Sequence, residues 1–202
     1  MKTDNNIPAQ CDCCTAPADP DRRRALGGVL AAAVSPLLVH PAFASAGSER
    51  SPRPAVGDRL AFMLGERKDQ AIGPGDIEPG TAPVLAYPKD PGTGEVLASR
   101  ANILVVVRLD PSSLSEEVAA KAVDGVVAYS ALCTHNGCPV TVRDPTQTKL
   151  VCNCHGSVFD PADRGVVLDG PAYRRLPMLP LQLERGELVV AAPFDGPIGP
   201  PT

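Results

Sequence analysis

The sequence has no tryptophan and only three tyrosines, four phenylalanines and three histidines. With so few rings, the core has to be assembled from Val, Leu, Ile and Ala. A strong charge of either sign is missing too. The net charge is −4 and no basic stripe follows residue 46, so nucleic acid is not an expected partner. There is no internal repeat, no nucleotide-binding loop, and no nucleophile or paired acid and base. No catalytic residue is therefore assigned. What the chain does have is 23 Pro and 18 Gly, which favour many short strands joined by long loops.

In chain order, residues 1–20 are polar and carry Cys11, Cys13 and Cys14. They read as an unstructured leader, because a metal site would need a fourth ligand close by. Arg22-Arg23-Arg24 then precede an apolar run over 25–39 and the small-residue stretch Ala42-Phe43-Ala44-Ser45-Ala46. Basic, apolar and small residues in that order are the plan of an export signal. The paired arginines followed by Leu26 resemble a twin-arginine signal, with Ala25 in place of the usual aromatic. The apolar run falls short of the roughly 20 residues of a spanning helix. Cleavage after Ala44 or Ala46 is expected, and retention as a membrane anchor is the alternative.

Residues 47–58 read as a linker or extended arm, and 59–202 as one domain. Strands are expected at 60–64, 83–87, 102–109 and 126–130, then at 140–142, 149–151, 158–159 and 166–168, and last at 181–184 and 187–191. Ile103–Val107 is a continuous β-branched and leucine run suited to burial on both faces. Acidic residues early and a lysine late predict a short helix over 113–123. Turns at Asp144-Pro145-Thr146 and Arg185-Gly186 predict two hairpins. The pattern is that of an all-β protein, an antiparallel sandwich or barrel.

The chemistry-bearing residues gather in two segments, Cys133-Thr134-His135-Asn136-Gly137-Cys138 and Cys152-Asn153-Cys154-His155-Gly156-Ser157. Beyond residue 46 the chain has four Cys and two His, all of them here. Two Cys and two His are also a structural zinc set, but zinc pairs usually have C-x2-4-C and H-x3-5-H spacing. The spacing here, with one residue between Cys133 and His135 and two between Cys152 and His155, resembles instead the Rieske 2Fe–2S family. The resemblance covers about residues 126–192. It implies a Rieske fold, with a small cluster-binding subdomain at about 129–175 on a larger antiparallel β base. It implies that Cys133, His135, Cys152 and His155 hold a 2Fe–2S cluster and that Cys138 and Cys154 form a disulfide. It further implies that Gly170-Pro171-Ala172 covers the cluster and that Ser157 donates a hydrogen bond to a bridging sulfide. A serine that merely caps its own turn is the plainer alternative for Ser157.

Such a cluster makes the chain a one-electron carrier, since neutral imidazoles in place of two thiolates ease reduction. Its partners would be redox proteins, either a large catalytic subunit or a cytochrome c, with a membrane involved only if the 1–46 segment is retained. Within the family the chain resembles first the small subunit of arsenite oxidase, in Ala128-Tyr129-Ser130, Cys133 to Pro139 and Phe159-Asp160. It resembles next the Rieske subunit of quinol–cytochrome c oxidoreductases, which usually have Leu where this chain has Asn136 and Tyr where it has Phe159. The ferredoxin and oxygenase branch lacks the two disulfide cysteines. Clusters are assembled in the cytoplasm, and the twin-arginine route carries folded proteins, so a periplasmic location is expected.

Overall fold

A computed structural model describes residues 52–201, apart from Pro145 and Gln147. The expected signal segment 1–46, with Cys11, Cys13 and Cys14, and the first part of the 47–58 arm lie outside the described residues. In chain order the strands are β1 (Arg59–Phe62), β2 (Val84–Lys89), β3 (Leu104–Arg108), β4 (Val126–Ser130), β5 (Val142–Arg143) and β6 (Leu150–Val151). They continue with β7 (Val158–Asp160), β8 (Val166–Asp169), β9 (Met178–Leu179), β10 (Leu181–Glu184) and β11 (Glu187–Val190).

Seven strands form one antiparallel sheet in the order β10-β11-β1-β2-β3-β4-β9. Its two edge strands, β9 and β10, are neighbours in sequence with only Pro180 between them. One residue cannot carry the chain across an open sheet, so the sheet must curl until its edges nearly meet. The other four strands make a small sheet, β5-β6-β7-β8. It lies within the 129–175 stretch expected to bind the cluster.

Strands β3 and β4 join the two layers. Leu104 and Val106 of β3, with Val126 and Ala128 of β4, face a core that holds Leu60, Leu188 and Val190. The alternate residues Val105, Val107, Val127 and Tyr129 face a second core with Leu150 and Phe159 of the small sheet. Side chains alternate across a strand, so one buried on both faces must be apolar at nearly every position. The run of leucine and valine in β3 meets that demand. Two polar ties cross between the layers. Tyr129 donates its hydroxyl to the Pro161 carbonyl at 2.8 Å. Buried Arg143 reaches the carbonyls of Thr81 and Arg108.

The expected helix over 113–123 is cut to one turn, α1 (Glu116–Ala119), after a short 3-10 turn at Pro111–Ser113. Tertiary bonds set its limits. The Ser115 N–H is taken by Ala162 O, Lys121 O accepts from Leu181 N–H, and Val123 already pairs with Val126. The expected strand over 140–142 shifts to Val142–Arg143, because Val140 N–H bonds Ala131 instead.

Candidate metal centre

The two cysteine–histidine segments fold as matching loops. In the first, Cys133 N–H bonds Cys138 O at 2.8 Å and Cys133 O accepts from Gly137 N–H at 2.8 Å. In the second, Cys152 N–H bonds Ser157 O at 2.9 Å and Cys152 O accepts from Gly156 N–H at 2.9 Å. Each loop turns back at its glycine, with φ of 70° at Gly137 and 74° at Gly156, a region that suits a residue without a Cβ. Strand β4 leads into the first loop, while β6 and β7 flank the second.

The structure joins the loops by a disulfide between Cys138 and Cys154. Cys133 and Cys152 remain as free, buried thiols. Burial pushes the Cys152 thiol above its usual pKa, and the adjacent Cys133 thiol adds to the shift, while backbone N–H groups of the loop oppose it. The two imidazoles converge on each other as well. Nδ1 of His135 and Nδ1 of His155 are 3.2 Å apart, with the rings edge to face. His135 is half-buried and His155 exposed.

This donor set fits a metal centre with mixed sulfur and nitrogen ligation. Two nitrogens bound at about 2.0–2.1 Å to one tetrahedral ion would lie roughly 3.4 Å apart, close to the spacing of the two Nδ1 atoms. The sulfurs of Cys138, Cys152 and Cys154 also cluster. Two of those three are spent in the disulfide, so they do not form a thiolate site.

The 170–172 loop sits against the second cysteine loop. Gly170, at φ 84°, comes so near that a Cβ there would fall 2.5 Å from Ser157 Cα. The fully buried Ser157 accepts a 3.1 Å hydrogen bond at Oγ from Ala172 N–H, which leaves its own hydroxyl proton free to donate. Phe159, also fully buried, packs in the same apolar core as Cys133 and Cys152.

Three neighbours went unnoticed in the sequence. The buried hydroxyl of Thr134 donates to the Arg174 carbonyl. Arg100 Nη2 donates to Gly137 O at 2.8 Å. The exposed ring of Tyr173 stands 5.8 Å from that of His135. Tyr173 follows the Gly170-Pro171-Ala172 segment directly and could have been read as part of it. The arginine and the threonine act on backbone carbonyls far away in sequence, and no motif reports that.

Residues 91–180 match the model of the Rieske [2Fe-2S] domain. The cytochrome bc1 complex Rieske iron-sulfur subunit of Streptomyces lividans is 37% identical over 99 residues, covering 48% of this chain and 58% of that protein. A protein of Haloferax mediterranei, named as the Rieske subunit of a respiratory nitrate reductase, is 44% identical over 79 residues, covering 39% of this chain and 35% of its own length. The match thus spans less than two thirds of either relative. Among solved structures, the soluble domain of Rieske protein II from Sulfolobus acidocaldarius aligns at a TM-score of 0.39 with 24% identity, covering 48% of this chain and 64% of that one.

Proposed function

We propose that the chain, whose residues 91–180 match the Rieske [2Fe–2S] domain, is the iron–sulfur subunit of a respiratory quinol–cytochrome c oxidoreductase. It is a Rieske electron-transfer protein with a Rieske-type 2Fe–2S cluster. The observation that carries the site reading is the pair of disulfide-joined loops, each bringing one free buried thiol and one of two converging imidazoles. In that reading Cys133 and Cys152 hold one iron, and His135 and His155 the other. When bound, a cluster of this type takes up and releases a single electron at roughly −150 to +300 mV.

The protein's own residues shape that exchange. The buried cysteines keep water from the sulfur side, while exposed His155 brings the nitrogen side to the surface that a partner would approach. Ser157, with its proton free, would supply a hydrogen bond to a sulfur of the bound centre. Such bonds favour the more negative, reduced form and raise the potential.

The sequence alone favoured a subunit of the arsenite-oxidase type. The cytochrome bc1 relatives favour the second branch instead, although Asn136 and Phe159 depart from its usual residues. Work in the periplasm belongs to the same proposal. The signal-like order of residues 1–46 supports it, as does the Cys138–Cys154 disulfide, which suits an oxidising compartment. Among the described residues no helix is long and apolar enough to cross a membrane.

Gentle detergent purification of the tagged full chain from its own cells tests the assignment. The expected companions are a cytochrome b and a cytochrome c, and quinol should reduce the centre. Recovery with a large molybdenum subunit would overturn it. In the same preparation His135→Ala and His155→Ala should each abolish the EPR signal of mixed nitrogen and sulfur ligation. Retention of that signal by either variant would remove that histidine from the ligand set.

A further inference from the structure

We propose that Arg100 is a positioning residue of the first cysteine loop, and that its fixed positive charge raises the reduction potential of the centre. The inference rests on the reading that Cys133 and His135 are cluster ligands. Arg100 opens the short turn Arg100–Asn102 that leads into β3, and it lies far from the loop in sequence. Its Nη2 donates to Gly137 O at 2.8 Å. The same Gly137 gives its N–H to the carbonyl of Cys133 at 2.8 Å. The guanidinium is therefore two short hydrogen bonds from the first proposed ligand.

The same loop is braced by the segment around Gly199 and Pro200. Arg174 takes the Thr134 hydroxyl at its carbonyl and reaches Gly199 O with Nη2 at 2.6 Å. A Cβ on Gly137 would lie 3.6 Å from Pro200 Cδ and 3.8 Å from Arg100 Nη2. Gly199 comes near Leu132, just before the loop. With the loop braced in this way, Gly137 O is a fixed acceptor for Arg100. The hydrogen bond holds its cation beside the loop that carries Cys133 and His135.

An added electron makes the site more negative, and a fixed cation nearby stabilises that state over the oxidised one. Arg100 is itself exposed, so solvent and salt must weaken the effect. That salt dependence separates a charge from a brace.

The test uses the cluster-loaded full chain as wild type, Arg100→Gln and Arg100→Lys. Protein-film voltammetry at one pH is run in about 10 mM and about 1 M salt, where screening lengths are about 30 Å and 3 Å. At low salt Arg100→Gln should reduce the equilibrium constant for reduction about threefold, roughly 30 mV for a one-electron couple. The gap should close at high salt, and Arg100→Lys should stay near wild type. None of the three changes a ligand, so iron, sulfide and EPR signal should agree among them. An unchanged potential in Arg100→Gln with a normal spectrum overturns the proposal. So does a gap indifferent to salt, or a lysine variant as low as the glutamine one. A wild type without the Rieske-type signal would instead overturn the ligand reading, and this inference with it.

Discussion

The two cysteine loops have the same backbone bonds and very different surroundings. In both, the first cysteine donates to the carbonyl five residues on and accepts from the glycine four residues on. Around the first loop, Thr134 is fully buried, Arg100 holds Gly137 O, and Pro200 lies against Gly137. Around the second, residues 153–156 are exposed, and a Cβ on Gly156 would meet nothing within 4 Å. The second loop is instead held from above, where Gly170 and Ala172 contact Ser157. Local sequence thus builds the same scaffold twice. Long-range packing then makes one copy a closed seat and leaves the other open to a partner.

The largest effect on that contrast should come from Gly170→Ala. Its Cβ would strike Ser157 Cα at 2.5 Å and Ser157 N at 2.8 Å, both backbone atoms that cannot swing away. Overpacking typically costs 1–3 kcal/mol, and the left-handed backbone adds about 1–2 kcal/mol. A total of about 2–5 kcal/mol is expected, with a matching drop in denaturant midpoint. Gly156→Ala, in the same left-handed region but facing open space, should lose only about 1–2 kcal/mol. Equal losses for the two would show that the 170–172 loop does not press on the second loop.

The disulfide couples the closed loop to the open one, and breaking it comes next in size. Cys138 and Cys154 are 16 residues apart in sequence. Closing a chain segment of about that length is worth roughly 3 kcal/mol in the chain-entropy model. Cys138→Ser and Cys154→Ser should each lose about that much, and the double variant should lose no more, since all three lack the same bond. Thermal unfolding of the three, with iron retention measured alongside, provides the check. Additive losses would contradict a shared bond.

Much of this was legible because it is local. The closing hairpin, β10 and β11 around Arg185-Gly186, and the doubly buried β3 announce themselves in turn residues and runs of apolar side chains. The cysteines and histidines of the site are legible by type and spacing. The charge pattern over 113–123 suits a longer helix than forms, because bonds from Leu181 and Val126 claim its last residues. The two-residue strand β9, which with Pro180 brings the sheet edges together, is too short for any periodicity to show. Arg100 and Thr134 escaped for another reason. Each bonds a backbone carbonyl, and a carbonyl has no residue identity to recognise.

The smallest effect belongs to Phe159, which lies two residues beyond the open loop and packs in the core shared with the closed one. The family resemblance implies that quinol-oxidising members usually have a tyrosine here, whose hydroxyl bonds the sulfur of the first cysteine ligand. Phenylalanine keeps the ring fully buried but offers no donor, so Cys133 would lack that bond in the reduced state. A hydrogen bond to a charged acceptor is worth about 1.5–3 kcal/mol in total. Only the part that differs between redox states moves the potential, about 1–2 kcal/mol. At 59 mV per tenfold change for a one-electron couple, that is on the order of 40–90 mV. Phe159→Tyr should therefore raise the potential by that amount. Ser157→Ala should lower it similarly, because it removes a hydroxyl whose proton is still free to donate. Voltammetry of the three forms at one pH reads both shifts. A Tyr variant with an unchanged or lower potential would mean that the ring edge at 159 points away from Cys133. The wild-type potential would then have to be explained by Ser157 and the charges around the closed loop alone.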